Sequence, residues 1–281
     1  MSESEFVLLG AGGMLHRAWI ETLTNRGLKH RSLARAQLDL TRPETIGPAL
    51  GDNCKLVINC AAYTDVDKAE SEEATATAVN GIGVGRLALH CRQLGATLVH
   101  YSTDYVFNGK GVRPYRPDDP IEPLGAYGRS KAVGEKLLRE SGCKYLLIRT
   151  SWLYAPWGKN FVRTIARVAR EGKPLRVVND QQGRPTSSEH LARTTLSLIE
   201  HNATGIYHAT DGGECTWFEF ASEIARIINP QAQVSPCTTA EFPRPAQRPA
   251  YSVLDLDQTE RLVGPMLPWR MALADVMERL E

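Results

Sequence analysis

The chain has 281 residues, of which 42% are hydrophobic and 23% charged, values typical of a folded globular protein. A net charge of +1 gives no basic surface for nucleic acid. The acidic residues 1–5 and the short apolar run after them indicate neither a signal peptide nor a membrane span. The six cysteines include no C-x-x-C pair, so neither a disulfide framework nor a zinc site is indicated. We expect a cytoplasmic protein that binds neither nucleic acid nor membranes.

Short apolar runs alternate with longer segments of helical periodicity along the first half of the chain. The predicted strands are residues 6–9, 30–33, 55–59, 97–101 and 145–148, with 175–178 as a sixth; the predicted helices include 14–26, 84–94 and 130–140. This alternation predicts an α/β fold with a doubly wound parallel sheet. Beyond residue 150 prolines cluster and the alternation becomes irregular. We therefore expect a sheet domain over 1–150, joined by parts of 175–205, and a smaller, interleaved lobe over most of 151–281.

A glycine-rich loop follows the first predicted strand. Gly10, Gly12 and Gly13 stand just before a helix that begins near Met14 and Leu15. Glycines at such a turn let the backbone approach a pyrophosphate, whose charge then lies at the positive end of the helix. A glycine-rich turn without a ligand is the alternative. The loop predicts that residues 1–150 form an NAD(P)-binding Rossmann domain.

One residue departs from the dinucleotide-binding pattern. In the spacing G-x-x-G-x-x-G, His16 takes the place of the third glycine. That position serves close packing of the helix on the strand. The imidazole must either enter a gap beside small neighbours such as Ala18 or push the helix outward.

The second predicted strand indicates which dinucleotide is bound. Residues 30–35 contain Arg31 and Arg35 but no carboxylate, and the nearest acid is Asp39. An arginine here suits the 2′-phosphate of NADP, whereas a carboxylate would hold the ribose of NAD. The pattern favours NADPH, with NADH as the alternative, unless both arginines are solvated surface residues.

A tyrosine and a lysine four residues apart supply the strongest chemical signal. Tyr127 and Lys131 share one face of a predicted helix, although such a pair is common on surfaces. Tyrosine acts as a general acid near neutral pH if its pKa falls, and we expect the lysine ammonium and the nicotinamide to lower it. Thr103 ends a central strand and offers a second hydrogen bond to a carbonyl oxygen. These residues predict hydride transfer between a nicotinamide and a carbonyl group, with Thr103, Tyr127 and Lys131 as catalytic residues.

Other chemistries lack their motifs. The chain has no G-x-S-x-G elbow, the glycine loop is not followed by G-K-[ST], and the seven histidines do not pair at metal-ligand spacing.

Several longer motifs resemble a known family. Y-S-T-D-Y-V-F at 101–107, A-A-Y-T-D-V-D-K-A-E at 61–70 and D-Q-Q-G-R-P-T at 180–186 resemble the extended short-chain dehydrogenases, and among them the dTDP-4-dehydrorhamnose reductases. The resemblance covers nearly the whole chain. It implies a Rossmann fold of the extended type with a smaller substrate-binding lobe. It also implies reduction of the C4 keto group of a dTDP-linked 6-deoxy sugar, giving dTDP-L-rhamnose.

The resemblance also assigns residues to ligands. Along the cofactor it places the glycine loop with Met14 and Leu15, then Asp39, Leu40, Ala61, Ala62 and Tyr63. Asp104, Tyr105 and Trp152 are implied to lie beside the sugar. Asn160, Gln181 and Arg248 match positions that hold the nucleotide diphosphate.

Two alternatives remain at this point. The β subunit of methionine adenosyltransferase has a similar sequence and serves as a non-catalytic partner, and another deoxysugar ketoreductase or epimerase would use the same residues. A homodimer is a further expectation. The family's magnesium-linked dimer depends on acidic residues that match here only loosely, through Glu189, so no metal site is predicted.

Overall fold

A computed structural model describes residues 6–280, which form a six-stranded parallel sheet with helices on both faces. The order across the sheet is β10-β5-β4-β3-β1-β2, with all five pairings parallel. These strands are β1 (Phe6–Leu9), β2 (His30–Leu33), β3 (Leu56–Asn59), β4 (Thr97–Thr103), β5 (Lys144–Thr150) and β10 (Gly205–His208). The predicted α/β doubly wound fold is confirmed.

The chain reverses its direction across the sheet between β1 and β3. After β1 it passes to β2 on one side and returns to β3 on the other. The last residues of β1, β2 and β3 lie in register, since Leu9 pairs with Leu33 and with Asn59. Strand β4 extends three residues further, because Asn59 pairs with His100 and β4 ends at Thr103. Ligands of open parallel sheets bind in the crevice outside the carboxyl ends of the strands at such a reversal.

Alternating side chains of the strands build a hydrophobic cluster on each face of the sheet. Phe6 and Leu8 point to one cluster, whereas Val7 and Leu9 point to the other. Strands covered on both faces are continuously apolar, which explains why β1 and β3 are recognisable in the sequence. The helices are α1 (Met14–Asn25), α2 (Ile46–Leu50), α3 (Val66–Ala69), α4 (Glu73–Thr77), α5 (Gly83–Leu94), α6 (Ala126–Glu140), α7 (Phe161–Arg170), α8 (Ser188–Glu200), α9 (Trp217–Ile228), α10 (Asp257–Val263) and α11 (Trp269–Glu278).

The sixth strand of the sheet was predicted wrongly. Residues Leu175–Val178 do form a strand, β7, but it pairs with β12 (Val234–Cys237) outside the central sheet. The sixth position belongs to β10, beside β5. Residues 205–208 contain only two adjacent apolar residues, Ile206 and Tyr207, too short a run to predict a strand. An apolar run such as 175–178, in turn, does not specify its pairing partner.

A third hydrophobic cluster lies outside the sheet. It is formed by α7, α9 and α11, with Phe220 and Trp269 among its buried residues. Short pairs of strands connect this part of the chain to the rest: β6 (Leu153–Tyr154) with β9 (Thr186–Ser187), and β8 (Gln182–Gly183) with β11 (Cys215–Thr216). By contrast, α8 packs on α1 and shares the cluster of the sheet. Within residues 6–280 no helix has the length and apolar character that crossing a membrane requires.

Candidate active site

The glycine loop between β1 and α1 has the geometry of a pyrophosphate cradle. Gly10 and Gly12 both have φ of +89°, a conformation that glycine adopts without strain. A Cβ on Gly10 would lie 2.7 Å from the backbone nitrogen of Ala61, whereas one on Gly12 would meet nothing within 4 Å. The amide of Gly13 donates to the carbonyl oxygen of Gly10 at 3.0 Å, and Gly13 is the N-cap of α1. The loop therefore leaves open space in front of the positive end of a helix, which fits an anionic ligand.

Residues after the sheet domain support this loop from outside. The indole nitrogen of Trp157 donates to the carbonyl oxygen of Met14 at 3.2 Å, and Leu15 is buried. Asn160 caps α7, since its side-chain oxygen accepts a hydrogen bond from the amide of Arg163 at 3.2 Å. Its amide group donates to the carbonyl oxygen of Ala155 at 2.9 Å. The Asn160 side chain is thus committed to the protein, next to the glycine loop.

His16 enters a gap between α1 and β2. Its Nε2 lies 3.0 Å from the hydroxyl of Ser32, and its side chain is buried. Burial, followed by the charge of His30, lowers the pKa of His16, so the ring is neutral at pH 7. Helix α1 begins regularly at Met14. Of the two arrangements open from the sequence, the structure has the one that leaves the loop undisturbed.

The two arginines after β2 have different environments. Arg31 donates to the carbonyl oxygens of Ala49, at 2.7 Å, and of Leu50, at the end of α2. Arg35 is largely exposed and contacts Asp39 at 3.0 Å. Asp39 also accepts from the amide of Thr41 at 2.9 Å, and Leu40 beside it is buried. Arg35 is therefore the arginine available to a ligand, while Arg31 has a structural role.

A buried asparagine connects the loop after β3 to the helix of Tyr127. Asn80 accepts from the amide of Tyr63 at 2.9 Å and donates to the carbonyl oxygen of Tyr63 at 2.9 Å. It also donates to the hydroxyl of Ser130 at 3.0 Å, and that hydroxyl donates to the carbonyl oxygen of Tyr127 at 2.7 Å. Asn80 lies in a π-helical turn, a distortion frequent at functional sites. We call Asn80 and Ser130 the Asn80 clamp.

The three predicted catalytic residues meet at the carboxyl end of β4. Thr103 is the last residue of β4, and Tyr127 and Lys131 lie on α6, which packs against that strand. The Lys131 ammonium is buried and donates to the carbonyl oxygen of Tyr101 at 2.8 Å. The hydroxyl of Thr103 interacts with Tyr127 and donates to Asp104 Oδ1 at 3.0 Å.

In the protein without its cofactor, the pKa of Tyr127 is raised rather than lowered. Burial, followed by the charge of Asp104, raises the pKa of Tyr127, and the hydrogen bond with Thr103 opposes this only in part. Burial lowers the pKa of Lys131 to about 8, although the Glu135 carboxylate acts in the opposite direction. The Lys131 ammonium is directed to the Tyr101 carbonyl oxygen, and the lowering expected from the nicotinamide stays a prediction. Tyr127 is held in its protonated form, which is the form that donates a proton.

Asp104 is a buried carboxylic acid beside these residues. Only 2% of the residue is exposed, and its Oδ2 atom has no hydrogen-bond partner in the described part of the chain. Burial raises its pKa to about 7, while hydrogen bonds from Ser252 and Thr103 lower it. Tyr105 packs edge-on against Tyr127, with ring centroids 6.0 Å apart. Sequence analysis placed Asp104 and Tyr105 here but gave no indication that the pKa of Asp104 is raised.

Arg248 reaches the site from the far end of the chain. It contacts Asp67 through two bonds of 3.1 and 3.2 Å, and it interacts with the hydroxyl of Tyr105. Arg244 contacts the same carboxylate at 2.7 Å. Asp67, on α3, therefore holds two arginines from a distant segment against the sheet domain, an interaction that sequence analysis did not predict.

An aromatic stack forms another wall. Trp152 has φ of +47°, rare for a bulky residue, and its ring stacks on Trp217 with centroids 3.7 Å apart. A Cβ on Gly183 would lie 2.7 Å from the Trp152 ring, so only glycine allows this approach. Gln181 is buried, and its amide donates to the hydroxyl of Thr239 at 2.9 Å.

The structure groups the predicted residues around separate elements. The glycine loop, residues 61–63 and the Thr103–Tyr127–Lys131 group lie at the carboxyl edge of the central sheet. Trp152, Asn160, Gln181 and Arg248 come from segments beyond residue 150, and each is engaged by protein atoms. Sequence analysis missed the roles of Asn80, Ser130, Asp67 and Trp217. Asp67 lay within the motif at 61–70 used for the resemblance, but only its ion pairs reveal what it contacts.

A family model described as the RmlD substrate binding domain matches residues 4–281. The chain is 40% identical over 282 residues to dTDP-4-dehydrorhamnose reductase of Streptomyces griseus, covering 96% of this chain and 92% of that protein. It is 39% identical over 275 residues to a probable dTDP-4,6-dihydroxy-2-methyloxan-3-one 4-ketoreductase of Streptomyces antibioticus, covering 96% and 93%.

A solved structure gives the corresponding comparison in three dimensions. The crystal structure of dTDP-4-dehydrorhamnose reductase from Bacillus anthracis in complex with NADP superposes with a TM-score of 0.93 at 35% identity. The match covers 98% of this chain and 99% of that one. The similarity therefore includes the segments beyond residue 150 as well as the central sheet.

Proposed function

The chain belongs to the RmlD substrate-binding-domain family, and from that membership we propose that it is an NADPH-dependent reductase of dTDP-4-dehydrorhamnose. The reaction reduces the C4 keto group of the sugar and yields dTDP-L-rhamnose. The observation that supports it most directly is the meeting of Thr103, Tyr127 and Lys131 at the carboxyl end of β4, beside an open glycine loop. The named relatives are reductases, so the regulatory-subunit alternative is set aside.

The described residues fit a dinucleotide at the reversal of the sheet. Gly10, Gly12, Gly13 and the first amides of α1 would hold the pyrophosphate, residues 61–63 would lie along the molecule, and Arg35 would face the 2′-phosphate, with Asp39 and Leu40 near the adenine. When bound, NADPH supplies the hydride that adds to the carbonyl carbon.

The protein's own residues supply the proton that the carbonyl oxygen takes up. Tyr127, kept protonated by burial, donates its proton to the carbonyl oxygen as negative charge develops there. Thr103 offers a hydroxyl to the same oxygen, and the Lys131 ammonium stabilises the phenolate that remains. Because Lys131 is anchored to the Tyr101 carbonyl, its ammonium is fixed in place before the substrate binds.

We assign the substrate to the crevice between the sheet domain and the segments beyond residue 150. Asp104 and Tyr105 would contact the sugar, with the flat Trp152 ring opposite. Arg248, Gln181 and the α7 start at Asn160 would hold the diphosphate. In this proposal residues 1–150, together with α8 and β10, bind the cofactor, and most of the remaining chain binds the nucleotide sugar.

Activity is tested directly with purified protein. We expect NADPH absorbance to fall only when a dTDP-4-keto-6-deoxy sugar is supplied, and NMR of the product to identify dTDP-L-rhamnose. The same sugar linked to UDP is the matched control for recognition of the base. Folded protein that leaves NADPH unchanged with every such sugar would contradict the proposed function.

A second candidate is a ketoreductase for a related dTDP-deoxysugar. It is favoured by the similarity to the Streptomyces antibioticus protein. The two candidates use the same residues, so only the substrate distinguishes them. The ratio of kcat/KM for dTDP-4-dehydrorhamnose to kcat/KM for other dTDP-4-keto sugars decides between them.

Cofactor preference is tested at Arg35. A charge-assisted hydrogen bond to the 2′-phosphate contributes about 1.5–3 kcal/mol, so Arg35→Gln should lower the preference for NADPH over NADH roughly 10- to 100-fold. Arg42→Gln is the matched control, because Arg42 is also exposed and pairs with a nearby glutamate. An unchanged preference in Arg35→Gln would assign the 2′-phosphate to another residue.

A further inference from the structure

One carboxylate of the sheet domain accepts hydrogen bonds from two arginines. Asp67, on α3, accepts from Arg244 at 3.0 and 2.7 Å and from Arg248 at 3.1 and 3.2 Å. The backbone amide of Ala246 donates to the same carboxylate at 3.3 Å. Two cations share one anion here, so one positive charge is left over within this group of three side chains.

The two arginines are held differently. The side chain of Arg244 is 49% exposed, and both of its hydrogen bonds go to Oδ2 of Asp67. The side chain of Arg248 is 20% exposed, divides its bonds between the two oxygens and shares Oδ2 with Arg244. Strong charge-assisted hydrogen bonds measure about 2.7–2.9 Å, so the longer bonds of Arg248 indicate the weaker hold. Arg248 is also the arginine that the proposed function assigns to the diphosphate.

The backbone on both sides of Arg248 is fixed to other segments. On one side the amide of Ala246 is bonded to Asp67. On the other side a Cβ on Gly109 would lie only 2.6 Å from the Cα of Pro249, and the amide of Tyr251 donates to the carbonyl oxygen of Gly109 at 3.2 Å. Arg248 can therefore change its partner by rotation of its side chain, without movement of the backbone.

We propose that Arg244 is a positioning residue that allows Arg248 to exchange Asp67 for the diphosphate of the nucleotide sugar. This proposal rests on the proposed function, which places that diphosphate at Arg248. When Arg248 turns to the diphosphate, Arg244 stays on Asp67 and keeps the half-buried carboxylate paired. Without Arg244 the same rotation would leave Asp67 with neither arginine, which costs free energy in a partly buried place. Arg244 thus contributes to substrate affinity without touching the substrate.

The affinity for dTDP tests the exchange directly. The protein is saturated with NADP⁺, so that dTDP cannot enter the cofactor site, and dTDP is titrated by calorimetry. Arg244→Gln should weaken dTDP binding about three- to tenfold, the scale of one partly exposed ion pair. NADPH affinity should stay unchanged and shows that the variant is folded. In steady-state kinetics KM for the keto sugar should rise by the same factor, with kcat unchanged.

Two further variants serve as matched controls for the loss of Arg244. Arg176 is 59% exposed and pairs at 2.9 Å with Glu241, which belongs to the same segment as Arg244. Arg176→Gln therefore removes an equivalent ion pair and should leave dTDP affinity unchanged. Arg244→Lys keeps a cation for Asp67 and should keep most of the affinity.

A double variant separates the exchange from a general change in charge. Arg244→Gln combined with Asp67→Asn should recover most of the dTDP affinity, because no carboxylate is left to retain Arg248. Arg244→Gln combined with Asp65→Asn removes the same charge nearby and should recover none. Asp65 caps α3 by accepting from the amide of Lys68 at 3.0 Å, a role that asparagine also fills.

Several results would overturn the proposal. These are an unchanged dTDP affinity in Arg244→Gln, an equal loss in Arg176→Gln, or an equal recovery with Asp65→Asn. If dTDP did not bind the unaltered protein with NADP⁺, Arg248 would not hold a diphosphate and the exchange would be wrong. None of these measurements requires turnover. If dTDP binds as expected but no keto sugar is reduced, the reductase function fails while the exchange at Asp67 stands.

Discussion

Two neighbouring strand ends differ in how well their polar groups are satisfied. Beyond β3, the Asn80 clamp gives both backbone groups of Tyr63 a partner, and Asn59 accepts from the amide of Ala61 at 3.1 Å. On β4 and just after it, three buried polar atoms, on His100, Ser102 and Asp104, have no hydrogen-bond partner among residues 6–280. The first region is held in place by hydrogen bonds. The second accepts a cost in stability and contains Asp104, whose pKa burial raises to about 7.

The largest effect is expected at the proton donor. Tyr127→Phe removes the proton but keeps the ring, so turnover should fall roughly 10²- to 10⁴-fold, while NADPH affinity changes little. Lys131→Met should lower turnover and also weaken cofactor binding. Steady-state kinetics and fluorescence titration with NADPH separate these effects. If Tyr127→Phe keeps more than about a third of the activity, another residue donates the proton.

The unsatisfied end of β4 should be stabilised when its acid is removed. The folded-state pKa of Asp104, about 7, lies above the ordinary value of 3.8. The ionised form therefore destabilises the fold, and this penalty grows as pH rises from about 4 through 7. Asp104→Asn should unfold less readily than the unaltered protein, with a gain about 2–3 kcal/mol larger at pH 8 than at pH 5. Urea unfolding at both pH values measures it, and an equal gain at both would contradict the raised pKa.

The satisfied end of β3 should respond in the opposite way. Asn80→Ala leaves the Tyr63 backbone groups and the Ser130 hydroxyl without this partner, which should cost about 2 kcal/mol of stability and weaken NADPH binding. Asn80→Asp keeps the acceptor for the Tyr63 amide but turns a buried carboxylate oxygen toward the Tyr63 carbonyl oxygen. It should therefore be no more stable than Asn80→Ala in urea unfolding. If Asn80→Ala left the cofactor affinity unchanged, the Asn80 clamp would contribute to the stability of the fold but not to cofactor binding.

The smallest effect is expected at His16. Its ring contacts Ser32 and does not displace the glycine loop. His16→Gly should therefore change NADPH affinity by less than about tenfold, or ~1.4 kcal/mol. It should lower stability by about 1 kcal/mol or more, because glycine disfavours the helix. Cofactor titration and urea unfolding measure the two quantities. A hundredfold tighter binding would show that His16 distorts the loop after all.

The sequence by itself determined the features that depend on local motifs and on hydrophobic periodicity. Three features can be recognised within a few residues of sequence: the continuous apolar runs of β1 and β3, the glycines before α1, and the spacing of Tyr127 and Lys131. These features suffice to predict the α/β class and the edge of the sheet that faces the ligand. The motif at 101–107 added the family and, with it, the reaction.

Tertiary structure alone decided which distant groups meet, because pairing and burial depend on neighbours far along the chain. The short sequence of residues 205–208 does not by itself predict the sixth strand, which forms by pairing with β5 at the edge of the sheet. Asn80 reaches Ser130 across 50 positions, and Asp67 reaches Arg248 across 181. The raised pKa of Asp104 likewise follows from burial in the folded protein, which a hydrogen bond from the distant Ser252 only partly opposes, and no motif encodes that.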